Sequence, residues 1–137
     1  MSSGQIEIYE AVNAGKRALD SLYAARDELQ RAKNWGVADL LGGGMLITMV
    51  KHNKINQAKS CIAQAQREIQ CFSRELNDMD TFAGVDLGIS DFLVFADYFF
   101  DGIVADFMVQ QKINEAASQV ETAIFRVQQV LARLENM

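Results

Sequence analysis

Acidic side chains alternate with aromatic ones in one short stretch, and this arrangement is the one most suggestive of chemistry. Asp97, Asp101 and Asp106 lie among Phe, Tyr, Val and Leu residues between positions 92 and 107. Asp97 and Asp101 are four residues apart, so in a helix they share a face and repel each other. A carboxylate buried in such surroundings must be paired, hydrogen-bonded, metal-bound or protonated. The three aspartates are therefore candidate site residues.

The densest basic cluster of the chain is the natural partner for these carboxylates. It spans residues 51–54 and comprises Lys51, His52 and Lys54, of which His52 is the only histidine in the chain. The charge of a histidine changes near neutral pH, and a neighbouring carboxylate shifts its pKa readily. The sequence predicts that Asp97 or Asp101 lies within salt-bridge distance of this cluster.

Two other arrangements of the aspartates stay open. At about 100° per residue the three fall within roughly 180° of each other, so they can form one polar stripe facing solvent. The other alternative is an all-carboxylate Mg²⁺ site, because Mg²⁺ prefers oxygen ligands. The Glu-x-x-Glu pairs typical of helical nucleotide pyrophosphatases are missing, apart from Glu7–Glu10 near the start of the chain. No metal or cofactor is therefore expected.

Other motifs that carry chemistry are absent or incomplete. The run Gly42-Gly43-Gly44 resembles a phosphate-binding loop, but a Walker loop needs a preceding strand and a following Lys-Ser/Thr pair. A di-iron bundle needs Glu-x-x-His pairs on two helices, and a chain with one histidine cannot supply them. The Gly-x-Ser-x-Gly motif of serine hydrolases is also missing. No residue is assigned a catalytic role, and a non-enzymatic protein is favoured.

The negative charge of the chain is concentrated in its most apolar third. Residues 75–111 hold eight Asp and Glu and no Lys or Arg, whereas residues 1–74 hold ten basic and seven acidic residues. With a net charge of −5 and no basic stripe interleaved with aromatics, nucleic acid is not an expected partner.

Three long stretches have the alternating three- and four-residue apolar spacing of amphipathic helices. The first stripe is Ala11, Ala18, Leu22, Ala25, Leu29 and Ala32. The second is Ile55, Ala58, Ile62, Ala65, Ile69, Phe72, Leu76 and Met79. The third is Ile113, Ala117, Val120, Ile124, Val127, Leu131 and Leu134. No proline interrupts them.

The ends of these helices complete the predicted fold. We expect the first helix to end at Asn34-Trp35-Gly36, with Gly36 as its C′ residue, and residues 45–50 to form a short buried helix. A very apolar helix is expected from Asp91 to about Phe100. The prediction is one all-α domain, residues 1–137, forming an antiparallel bundle of about four helices with a short helical insert between the first two long helices.

Three features of the sequence indicate a cytoplasmic protein without a membrane span. Cys61 and Cys71 would lie roughly 15 Å apart on one helix, too far for a disulfide. The apolar segment 85–109 carries five aspartates, each of which costs about 2.5–3.5 kcal/mol near the centre of a spanning helix. The start of the chain also lacks the basic and apolar regions of a signal peptide.

Two groups of residues resemble a known family. They are Asn34-Trp35-Gly36, Gly42-Gly43-Gly44 and the run from Lys51 to Ile55, and then the run Phe95-Ala96-Asp97-Tyr98-Phe99-Phe100-Asp101-Gly102 followed by Ala105-Asp106-Phe107. This pattern resembles an uncharacterised bacterial family of small helical proteins of unknown function. The resemblance implies a helical cytoplasmic protein and no particular activity.

The apolar surface of the predicted helices exceeds what a small bundle can bury. A helix that is apolar all round must be buried, and the core has room for one. We therefore expect association with itself, as a homodimer, or with another protein. The alternative is a small enzyme or ligand-binding bundle in which Asp97, Asp101 and Asp106 form the wall of a pocket or of a Mg²⁺ site.

Overall fold

The computed structural model describes the backbone of residues 3–42, 45–79, 89–98 and 113–136, with their side chains except at 35–42, 45–55 and 90. Within these residues the chain is all-helical, with four helices and no strand. They are α1 (Ser3–Gly42), α2 (Met45–Asn77), α3 (Ile89–Tyr98) and α4 (Ile113–Glu135).

The first two helices are longer than predicted. We expected α1 to end at Gly36, but it continues to Gly42, and α2 begins at Met45. Residues 45–50 are therefore the first turns of α2 and not a separate helical insert. A lone glycine costs a helix only about 1 kcal/mol relative to alanine and does not terminate it. With no proline nearby, Gly36 is therefore an interior residue of α1.

The predicted apolar stripes form the core wherever the structure describes their side chains. On α1 the stripe residues are fully buried, and four of them are alanines spaced seven residues apart: Ala11, Ala18, Ala25 and Ala32. The α2 stripe from Ala58 to Met79 is buried as well. On α4 the stripe is buried from Val120 to Leu134, while Ile113 and Ala117 pack against its edge. The helical spacing therefore identified the core correctly.

Helix α1 contacts both α2 and α4. It lies close to both at Gly15, where an added Cβ atom would lie 2.6 Å from Leu131 Cδ2 and 3.0 Å from Phe72 Cε1 and Cζ. On the surface, Arg17 pairs with Glu68 of α2 at 3.6 Å. Polar pairs between α1 and α4 include Lys16–Glu135, Tyr23–Gln128 and Arg26–Glu121.

Helix α3 is held by a small aromatic cluster. Its buried residues are Ile89, Phe92 and Ala96. The ring of Phe92 lies 5.3 Å from that of Phe72 on α2, in the tilted geometry that aromatic pairs favour. This contact fixes α3 on the bundle and turns its opposite face outward. Among the described helices, none is long and apolar enough to cross a membrane.

Candidate functional site

Of the residues in the predicted pairing between aspartates and the basic cluster, only Asp97 has a side chain that the structure describes. Asp97 is exposed on α3 and makes no ion pair with any residue whose side chain the structure describes. Asp101 and Asp106, and the side chains of Lys51, His52 and Lys54, lie outside the described residues. The predicted salt bridge between an aspartate of this segment and the basic cluster therefore stays a prediction.

The described part of the acidic and aromatic segment lines an open groove between α3 and α4. One part of the groove has a volume of about 500 Å³ and is lined by Asp91, Val94, Phe95, Tyr98 and Arg126. The adjoining part has a volume of about 240 Å³. It shares Asp91 and Arg126 with the first part, and its other lining residues are Phe92, Gln129, Val130 and Arg133. Of the three aspartates that the alternative prediction placed in a pocket wall, Asp97 does not line this groove, and Asp101 and Asp106 lie outside the described residues, so that prediction stays untested.

The groove has a basic side and an apolar side. Arg126 and Arg133 are seven residues apart on α4, so they lie on the same face of that helix, two turns apart. Val94 and Tyr98, four residues apart on α3, are both strongly exposed. Asp91 lies in the first turn of α3, where a carboxylate is favoured by the helix dipole. A groove of this composition suits a ligand with an apolar body and a charged group.

Arg126 is the residue that the sequence reasoning missed. Its guanidinium carbon lies 5.2 Å from the centre of the Phe95 ring, within the range of a cation–π contact. The dense cluster at 51–54 was the expected source of positive charge, whereas Arg126 and Arg133 lie seven positions apart and form no cluster in the sequence. Their seven-residue spacing was the available signal, because it places both on one face of an amphipathic helix.

A second polar cluster joins α1 and α2 away from the groove. Glu28 accepts a hydrogen bond from Arg31, while its second oxygen is buried and makes no hydrogen bond within the described residues. Burial and the negative charge of Glu28 raise the pKa of the Cys61 thiol, and Arg31 opposes them. A raised pKa keeps the thiol protonated and therefore poorly nucleophilic. This cluster has the properties of a structural contact.

Neither a metal site within the described residues nor a similarity to known proteins indicates a function for this chain. Within the described residues no three His, Cys, Asp or Glu side chains are grouped so that they could hold a metal ion. No protein-family model, no curated protein and no solved structure matches the chain. Function must therefore be inferred from the geometry of the helices and the groove.

Proposed function

We propose that this chain is a non-enzymatic helical protein that acts through association, either with itself as a homodimer or with another protein. In this proposal α1, α2 and α4 form an antiparallel scaffold, and α3 with the adjoining side of α4 is the interaction surface. The surface is defined by Val94 and Tyr98 of α3 and Phe125 and Arg126 of α4.

The antiparallel arrangement is supported by the order of the polar pairs. Rising residue numbers on α1 meet falling numbers on α2, since Arg17 pairs with Glu68 while the later Glu28 lies near Cys61. The pairs between α1 and α4 follow the same order.

The contact of Gly15 with Phe72 then sets a register in which large and small residues alternate between α1 and α2. In the proposed antiparallel register the large residues of α1 would lie opposite alanines of α2: Leu22 opposite Ala65, and Leu29 opposite Ala58. Alternation of this kind fills a helix interface without voids.

The observation that carries the proposed function is the exposure of large apolar side chains. Val94 is 70% exposed, Tyr98 62% and Phe125 59%. Single exposed apolar residues are ordinary, but neighbouring ones mark interaction sites. Val94 and Tyr98 are neighbours one turn apart on α3, and both line the groove together with Arg126. Phe125 is the residue before Arg126 in the sequence. An exposed tyrosine or phenylalanine side chain contributes little to the stability of the monomer, whereas both residue types are enriched in protein interfaces.

Sedimentation equilibrium tests the proposal directly. We expect the mass to rise from 15.3 kDa toward twice that value across the micromolar range. Tyr98→Asp should shift this rise to higher concentration, because it removes apolar contact area and introduces a charge. Gln70→Asp, at an exposed position on α2, adds the same charge outside the surface and should leave the rise unchanged.

A single species at the monomer mass throughout would remove self-association. Association with a different protein would then need its own demonstration. Equal shifts from Tyr98→Asp and Gln70→Asp would show that net charge, and not the surface of α3 and α4, controls the assembly.

The second candidate function is ligand binding, and the groove between α3 and α4 favours it. Its larger part, at about 500 Å³, falls within the range of small-molecule sites, which combine an apolar lining with a few polar groups. Phe95 and Tyr98 supply the first and Arg126 the second. A ligand that binds the folded chain raises its melting temperature, by an amount equivalent to about 2.7 kcal/mol at 100 times its dissociation constant.

A further inference from the structure

We propose that the groove between α3 and α4 binds a small anion with an aromatic body, whose charged group contacts Arg126. This inference rests on the second candidate function and gives the ligand its chemical class. The apolar body would lie against Val94, Phe95 and Tyr98, and the negative charge would face α4.

Arg126 is the strongest argument for an anion. Arg17, Arg26 and Arg31 each form an ion pair, with Glu68, Glu121 and Glu28 respectively. Arg126 makes no ion pair or hydrogen bond with any residue that the structure describes, and its one described contact is with the ring of Phe95. A guanidinium has five N–H donors in a planar fork suited to a carboxylate or sulfonate. The Phe95 ring lies against that fork in the groove, and the donors of the fork make no hydrogen bond within the described residues.

The rest of the groove agrees with an aromatic ligand body. Val94, Phe95 and Tyr98 provide one aliphatic and two aromatic surfaces on the same side of α3. An aromatic ring that lies against them would be stacked or tilted at ordinary ring separations. Arg133 lines the adjoining part of the groove and adds a second positive charge two turns along α4.

Asp91 gives the proposal an additional prediction, because its charge opposes an anion. It lines both parts of the groove, yet it makes no ion pair with Arg126 in the described structure. Removal of its charge should therefore strengthen binding, whereas removal of the Arg126 charge should weaken it. A generally sticky apolar surface would respond to neither change in this way.

Two fluorescent probes with the same aromatic body separate charge recognition from apolar contact. Anilinonaphthalene sulfonate carries one negative charge, and phenylnaphthylamine has the matching ring system without it. For the full chain we expect saturable binding of the sulfonate. Arg126→Gln should weaken it about fivefold to tenfold, the loss of one charge-assisted contact, and Arg126→Lys should restore part of the affinity. Binding of the neutral probe should change less than twofold.

Matched variants complete the experiment. Arg67→Gln removes the same charge from an exposed position on α2 and should leave both affinities unchanged. Asp91→Asn should tighten sulfonate binding, and Tyr98→Ser should weaken both probes.

The inference is overturned if Arg126→Gln leaves sulfonate affinity within twofold of the parent or weakens the two probes equally. Circular dichroism of each variant verifies that it is folded. Sedimentation of the same samples shows independently whether self-association persists, so failure of one proposal is distinguishable from failure of the other.

Discussion

Gly15 offers the sharpest test of how the helices meet, since it lies where α1 touches both α2 and α4. Substitution by alanine has two opposing effects. It should stabilise the helix by about 1 kcal/mol, the difference in helix propensity between the two residues. It also places a Cβ atom 2.6 Å from Leu131 Cδ2 and 3.0 Å from two ring atoms of Phe72. Carbon atoms in contact are normally about 3.5–4.0 Å apart, so at least one neighbour must move.

The steric effect should exceed the gain in helix propensity. Leu131 can rotate its methyl group, but Phe72 is fully buried and its ring lies against Phe92. Extra methyl groups in a packed core cost about 1–3 kcal/mol. With about 2 kcal/mol for the clash and about 1 kcal/mol for helix propensity, we expect Gly15→Ala to lower the free energy of unfolding by about 1 kcal/mol.

Urea denaturation followed by far-ultraviolet circular dichroism measures this difference. Ala24→Gly, at an exposed position on the same helix, calibrates the propensity term without any clash. In a Phe72→Leu background, which removes the ring atoms nearest to Gly15, Gly15→Ala should be less destabilising by about 1 kcal/mol or should even stabilise. If Gly15→Ala raises stability by as much as Ala24→Gly lowers it, the three-helix contact at this residue is wrong.

Three further predictions address the core, the thiol and the charges. Ile69→Ala, at a fully buried position on α2, should cost about 2–5 kcal/mol in urea denaturation; a variant as stable as the parent would show that the stripe is not a core. Alkylation of Cys61 by iodoacetamide, read by mass spectrometry, should reach half its maximal rate at a higher pH than for a cysteine in an unstructured neutral peptide, because burial raises the pKa of the thiol; an equal or lower pH contradicts this. A double-mutant cycle of Asp101→Asn and Lys51→Met should show a measurable coupling energy in the free energy of unfolding, and zero coupling would return Asp101 to a solvated face.

The core was predictable from the sequence because its spacing depends on helix geometry alone. The alternation of three and four residues that includes Ile62, Ile69 and Phe72 places them on one face of any straight helix, and all three are buried. The end of α1 was not predictable in the same way. Gly36 is as compatible with a helix interior as with a C′ position, and the choice between them depends on packing that the local sequence does not reveal.

The candidate site was predictable only in part, because a sequence shows charges but not which helices adjoin. The acidic and aromatic composition drew attention to the segment containing α3, but the aspartate of this segment that lines the groove is Asp91 and not the predicted Asp97. The partner helix could not be inferred, because Arg126 and Arg133 resemble any two exposed cations until α4 is placed beside α3. The densest basic cluster, at 51–54, was the partner that the sequence predicted for Asp97, whereas the described cations that line the groove beside α3 are Arg126 and Arg133 of α4.

The arrangement of α3 separates the residues that stabilise the fold from those available for function. Ile89, Phe92 and Ala96 are buried and attach the helix to the bundle, so their substitution should cost stability. Val94 and Tyr98 face outward on the same ten-residue helix, where apolar side chains contribute little to monomer stability. Substitutions at these two positions should therefore change association or ligand binding while leaving the free energy of unfolding nearly constant. Because both proposed functions use this outward face, it is the part of α3 through which either one can be tested without unfolding the protein.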